Sequence, residues 1–280
     1  AQERGQRFEQ NLARPQACYG ELFVNFRKHN QWSTVGSRPE NRSDNDAGLT
    51  ADMEMTNSWF LHGSIISHRF MPVYDDRASR GGPALRRVPY TDVSFEIDGD
   101  PRLRLLPSVG AYVFRATGAQ SWGYGVDPSL SFRVSRSFTG IVSPHFEHNS
   151  DNNQWVDNLI SSDGTDTAYT FGHLDQNTLS LTVRADYTMS PKLSLQIYAQ
   201  PFASSGKFTN WRELSDDPRN VTYARRFLPY GTQAGASEYN FDVAEFNSNV
   251  VLRWEYRAGS AIYAVWTQGR NFEHFGTPFG

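Results

Sequence analysis

Apolar and polar residues alternate with a period of two along most of this chain, the pattern of a strand with one apolar and one polar face. Between Thr178 and Ser190, Leu179, Leu181, Val183, Ala185, Tyr187 and Met189 fall on one side, and Ser180, Thr182, Arg184, Asp186 and Thr188 on the other. Residues 121–135 repeat this, with Trp122, Tyr124, Val126, Pro128, Leu130, Phe132 and Val134 against a polar and glycine-rich face. Residues 102–114 do the same through Leu103, Leu105, Val109, Ala111 and Val113. Shorter copies include Leu22-Val24-Phe26, Leu49-Ala51-Met53, Val93-Phe95-Ile97 and Val250-Leu252-Trp254. No segment sustains a capped 3.6-residue stripe, so the pattern predicts an all-β chain. Strands are expected near 20–28, 48–56, 58–70, 91–98, 102–115, 121–134, 138–148, 177–189, 193–204, 243–257 and 260–270.

Several of these runs are about a dozen residues long, beyond the 5–6 usual in soluble sheets and enough for a tilted membrane-spanning strand of about 9–11. The connections alternate between tight turns and longer loops, which puts all tight turns at one end of the sheet. That layout predicts an antiparallel up-and-down transmembrane β-barrel of the outer-membrane type. The expected organisation is a lead-in over 1–19, barrel strands over 20–270 with long extracellular loops at 29–47, 71–90, 149–176 and 205–242, and an incomplete end over 271–280. Eleven strands is an odd number where bacterial single-chain barrels are even, so further strands are expected to complete the wall.

Composition narrows the function classes. With 27 Lys and Arg against 30 Asp and Glu, the net charge of −3 supplies no basic field for nucleic acid. The single cysteine, Cys18, excludes a disulfide framework and a cysteine-based zinc site. No run of about 18 apolar residues suggests a transmembrane helix.

On the barrel reading, the polar face lines a lumen. Its candidates are Glu96, Arg102, Arg104, Asp127, Arg133, Arg184, Asp186, Gln196, Arg253, Glu255 and Arg257. Both signs are interspersed, which suits a cross-strand network stiffening the wall or a passage for neutral solutes such as sugars. An ion-selective pore would favour one sign. Loop aromatics Trp155, Trp211, Tyr223, Tyr230 and Tyr239 either pack the loops together or stack on sugar rings. His145, Glu147 and His148 superficially suggest a metal half-site, but alternation sends His148 to the opposite face from the other two. The Asp- and Asn-rich stretch 149–175 lacks the spacing of a calcium loop. No metal, cofactor or catalytic residue is assigned, and no G-x-S-x-G or H-E-x-x-H signature is present.

Several segments carry a resemblance: Asp75 to Pro83 (DDRASRGGP), Asp127 to Arg133 (DPSLSFR), His173 to Thr182 (HLDQNTLSLT), Leu195 to Phe202 (LQIYAQPF) and Val251 to Arg257 (VLRWEYR). Together, over roughly residues 60 to 270, they resemble the C-terminal barrel region of an uncharacterised bacterial outer-membrane family. That barrel is often preceded by a carbohydrate-binding module similar to family 9. The resemblance implies the bacterial outer membrane as location, its lipid as a partner and a glycan as the class of ligand. It brings no catalytic residues. The sequence thus predicts a passive passage or membrane anchor linked to glycan uptake. The alternatives are a structural barrel holding partner proteins through its long loops, and a membrane-embedded hydrolase needing two acids or a Ser-His pair in one cleft.

Overall fold

The computed structural model describes residues 22–32, 42–231 and 233–275. The expected lead-in 1–19, residues 33–41 of the first loop and the last five residues lie outside them. The strands are β1 (Leu22–Trp32), β2 (Arg42–Glu54), β3 (Phe60–His68), β4 (Tyr74–Asp75), β5 (Leu85–Arg86), β6 (Tyr90–Asp98) and β7 (Leu105–Ala116). They continue with β8 (Trp122–Arg133), β9 (Phe138–Ile160), β10 (Thr167–Ser190), β11 (Leu193–Leu214), β12 (Phe227–Pro229), β13 (Phe241–Arg257) and β14 (Ser260–Phe275). Two 3₁₀ turns, Tyr223–Arg226 and Gln233–Tyr239, are the only helical segments among the described residues.

The chain is all-β, as the alternation predicts. Eleven strands form one antiparallel meander in the order β1-β2-β3-β6-β7-β8-β9-β10-β11-β13-β14, with β12 added beside β11 and β4-β5 as a separate small ladder. Among the described residues β1 and β14 do not pair with each other, so the sheet has two edges and is not a closed barrel. Short turns join β2–β3, β6–β7, β8–β9, β10–β11 and β13–β14, all at one end of the sheet. The other connections gather at the opposite end.

Local chemistry sets these turns. Ser58 adopts a φ of 61° in the β2–β3 turn, where Met55 N–H donates to the Trp59 carbonyl at 2.8 Å. Gly259 takes a φ of 76° between β13 and β14, a conformation that a side chain disfavours. In the β6–β7 turn the Asp100 carboxylate accepts the Arg102 N–H at 2.9 Å and pairs with its guanidinium at 2.7 Å. Those hydrogen bonds, foremost the one from the side chain, hold Asp100 below its ordinary pKa.

Register aligns the alternating residues into one band. Leu49 opposes Ile65, Ile65 opposes Val93, Val93 opposes Val113 and Val113 opposes Tyr124. Further along, Val142 opposes Val183, Ala185 opposes Ile197, Ile197 opposes Val250 and Val250 opposes Trp266. This apolar face is open: Leu179 is 56% exposed, Ile65 55% and Val113 47%.

The hydrophobic core lies elsewhere. β9, β10 and β11 run for 23, 24 and 22 residues, whereas β6, β7 and β8 have 9, 12 and 12. Pairing of β8 to β9 ends at Trp122–Ser150, so β9 continues ten residues further, roughly 30 Å of strand. The stretch expected as loop 149–176 is therefore mostly hairpin, its irregular part only 161–166, and β11 likewise extends into 205–242.

The long connections fold onto this three-stranded extension as a cap. Trp155 and Val156 are sequence neighbours and point to opposite faces, and each belongs to a different core. On one face Phe171, Leu85 and Phe227 are buried, with Ala78, Trp155, Tyr169, Leu214 and Tyr223 around them. On the other, Val156, Leu174, Phe208 and Trp211 pack with Leu159, Tyr230, Tyr239 and Phe241. Arg226, only 4% exposed, ties the two connections by donating to the Arg86 carbonyl at 2.7 Å.

Candidate functional site

The polar face of the meander carries paired side chains from strand to strand. His62 Nδ1 lies 2.5 Å from Asp52 Oδ1, Ser64 and Ser94 hydroxyls are 2.7 Å apart, and His68 Nε2 is 2.5 Å from Asp92 Oδ1. On β8 and β9, Asp127 sits 2.5 Å from His145, with Glu147 3.6 Å from the other ring nitrogen, and Ser129 bonds Ser143 at 2.7 Å. Thr178 and Gln176 both reach Ser204 across β10–β11. Arg184 lies over the Tyr198 ring at 5.3 Å, and Tyr198 donates to Gln200 at 2.7 Å. Arg253 donates to Glu255 at 2.9 Å on β13.

Most of the predicted wall residues therefore share this face. Glu96 stands opposite His62 in register, Asp186 opposite Gln196, and Arg253, Glu255 and Arg257 follow along one side of β13. Arg102 and Arg104 depart from expectation. Both lie in the β6–β7 connection, not on the wall, because Asp100-Pro101 makes a turn closed by the Asp100 carboxylate. Arg104, Arg133, Arg184 and Asp186 do converge, lining a groove of about 380 Å³ near the short-turn end.

A second recess, of about 340 Å³, opens on the polar face at the opposite end, beside the connection between β3 and β6. Four residues of β9 at every second position, Glu147, Asn149, Asp151 and Asn153, form one side of it. Tyr90, Phe114, Val88 and Ser121 line it further, and Arg69 and Arg87 come from the connection. Asn45 builds the bend that brings Arg69 there. Fully buried, it accepts the Met71 N–H at 3.0 Å and donates to the Met71 carbonyl at 3.2 Å. Arg69 itself has a φ of 55°, a left-handed conformation costing about 1 kcal/mol for a side chain of this kind. Its guanidinium lies 5.0 Å over the Tyr90 ring, which also stacks on His68 at 4.4 Å and meets Phe114 edge-on at 6.2 Å. Asp151 accepts from Ser121 and from the Asn153 N–H.

The aromatic candidates all lie in the cap. Trp155 is covered by the Arg80 guanidinium at 3.7 Å, and its indole N–H donates to Asn158 at 3.0 Å. Trp211 is 8% exposed and meets Tyr230 and Tyr239 edge-on at 5.0 and 5.5 Å. Tyr223 donates to the Asn152 carbonyl at 2.9 Å and accepts from Arg212, and burial raises its pKa. Burial and the nearby Asp157 carboxylate raise that of Tyr239. Burial, with Arg86 close by, lowers that of Arg226. None of the five borders the recess.

His148 faces away from His145 and Glu147, with its ring 4.8 Å from Trp122. Among the described residues no three His, Cys, Asp or Glu converge as metal ligands. Asp163 is occupied in the β9–β10 tip, accepting from Ser161, from the Thr165 hydroxyl and from its N–H, which holds its pKa down to about 2.

Sequence reading assigned no role to Arg69, Arg87, Asn149 or Asn153. No apolar–polar alternation marks the last two, because Glu147 to Gln154 is an unbroken polar run; only their place on β9 puts them on one side with Glu147 and Asp151. Nothing local marks the arginines, which lie in or beside an irregular connection.

Comparison with known proteins supplies a family. The model of DUF5916, described as a domain of unknown function, matches residues 2–274, and the chain belongs to that family. No curated protein matches it.

Proposed function

We propose that this member of DUF5916 forms much of the wall of an outer-membrane β-barrel, with its apolar face in lipid and its polar face along a passive passage for neutral polar solutes. One observation carries the reading: the apolar band runs across the meander from Leu49 on β2 to Trp254 on β13, with one charged residue, Arg115 opposite Trp122, at its margin toward the long connections. On β10 it extends from Leu179 to Met189. Ten residue steps at about 3.3 Å, tilted by about 40°, give about 25 Å, the height of the lipid-facing band of such barrels. Open apolar area on this scale far exceeds the few hundred Å² typical of soluble monomers.

Aromatic rings mark both margins of the band. Phe132, Phe138 and Tyr187 cluster toward the short turns, with Trp254 and Tyr256 beside each other at 6.1 Å. Trp122, Tyr124, Phe146 and His148 cluster toward the long connections. Such rings suit the boundary between hydrocarbon and water. A sheet crosses a bilayer only if its edges are paired, so further strands complete the wall beside β1 and β14. In this arrangement the cap stands outside the membrane.

The test is reconstitution of the protein, purified from its native membrane, into liposomes with graded neutral oligosaccharides. Size-dependent swelling supports the passage. Absence of swelling with protein confirmed in the bilayer refutes it. That result would favour a second reading, an anchor presenting the cap to partner proteins, for which the close packing of 71–90 and 215–240 onto β9–β11 speaks. Failure to enter bilayers would overturn both.

A further inference from the structure

The recess beneath the β3–β6 connection has features that a stiffened wall does not need. Asn149 and Asn153 project into it with no side-chain hydrogen-bond partner among the described residues. Elsewhere on this face Asp52, Ser64, Asp92, Asp127 and Ser129 are each paired across strands, while Glu96, Asp186 and Gln196 have no side-chain hydrogen bond among the described residues; what sets the two amides apart is that both line one recess. Each free amide offers both a donor and an acceptor. Two guanidiniums, Arg69 and Arg87, balance two carboxylates, Glu147 and Asp151, so the recess has no dominant sign. Phe114 and the edge of Tyr90 add apolar surface. The volume, about 340 Å³, falls within the range of small-molecule sites, about 300–1,000 Å³.

We infer that this recess is a binding subsite for a neutral, hydroxyl-rich solute of the saccharide class. Amide side chains hydrogen-bond vicinal hydroxyls in both directions, the guanidiniums donate to further hydroxyls and the carboxylates accept from them, and Phe114 with the edge of Tyr90 meets the apolar C–H groups of a sugar. Arg69, fixed in its left-handed conformation through the Asn45 bend, is positioned before any ligand arrives, which limits the ordering cost of binding. The inference rests on the proposed passage and places a selective station within it.

The test is saturation-transfer NMR on the protein in lipid nanodiscs. The probes are maltotriose, cellotriose and chitotriose, with glycylglycine as a zwitterion and citrate as an anion. At least one trisaccharide is expected to receive transfer while glycylglycine and citrate do not. The Asn149→Ala/Asn153→Ala double variant is expected to weaken that binding about tenfold. Neither amide has a protein partner to lose, so the variant should keep the wild-type circular dichroism and thermal mobility shift on gels. Transfer to none of the trisaccharides, equal affinity in the double variant, or preference for glycylglycine or citrate would overturn the inference. Vesicle flotation reports membrane insertion separately. Insertion without trisaccharide binding removes this inference alone. A protein that fails to float removes the membrane reading, and the same titration in detergent then decides whether the recess binds sugar.

Discussion

A charge placed on the apolar face of β10 gives the most direct test of where that face resides. Val183 lies four residues from Leu179 and four from Tyr187 on the same side of the strand. At about 3.3 Å per residue and a tilt of about 40°, it sits about 10 Å in depth from each. If the band is in lipid, Val183 is near the midplane, where an arginine costs about 2–4 kcal/mol, falling to about 0–1 near the interfaces. Val183→Arg should therefore shift the folding equilibrium by roughly 30- to 800-fold. Leu179→Arg and Tyr187→Arg should cost much less in charge burial, and Thr182→Arg, on the polar face opposite Ser143, should cost least. The assay is urea-dependent folding into short-chain lipid vesicles, followed by the gel shift between folded and heat-unfolded protein. A flat profile along residues 179 to 187, or a larger loss for Thr182→Arg than for Val183→Arg, would refute the assignment of faces.

Other consequences follow from packing. Tyr112 and Phe114 lie over the cross-strand glycines Gly125 and Gly123, where any Cβ would collide with the ring; Gly125→Ala should destabilise the wall by about 1–3 kcal/mol in the same urea titration, and an unchanged midpoint would contradict that packing. Trp211→Ala removes the centre of one cap core and should cost the cap about 3–5 kcal/mol, read as new proteolytic cuts within 215–240 while the gel shift of the wall persists. Loss of the gel shift would show that cap and wall unfold together. Asp163 has a folded pKa of about 2 against an ordinary 3.8, so its hydrogen bonds support the β9–β10 tip above the ordinary value and are lost as pH falls toward about 2. Amide exchange at Thr165 and Asp166 should therefore be protected beyond the intrinsic rate at pH 5, with this protection declining below pH 4. Asp163→Asn should remove that pH dependence.

The number and order of the strands were legible because a sheet with two unlike faces must write its period into the chain. All eleven meander strands fall where alternation puts them, and the tight turns around Asn57, Ser135 and Gly259 follow. Alternation failed beyond His148 for a physical reason. In the cap both faces of β9–β11 are covered by folded connections, so apolar residues appear on successive positions, as in Trp155-Val156. The register shifts around Gly172 then move the faces over by one. Arg102 and Arg104 were misplaced because Leu103 and Leu105 extend the period of β7 into a turn that Asp100 closes. The recess was not legible. Its β9 side lies in the unbroken polar run Glu147 to Gln154, where no alternation shows which residues share a face; Arg69 reaches it through the bend at Asn45, a contact across more than twenty residues, and Arg87 through its N–H to the Val73 carbonyl, neither encoded by a local pattern.

The strand count has a geometric corollary. In a meander each strand reverses the last, so the first and eleventh, β1 and β14, point the same way. Brought edge to edge they would meet as a parallel seam, whose slanted hydrogen bonds are slightly weaker per residue than the antiparallel ladders elsewhere. A wall with antiparallel pairing all the way round needs an odd number of added strands, whichever polypeptide supplies them; an even number leaves that seam in place.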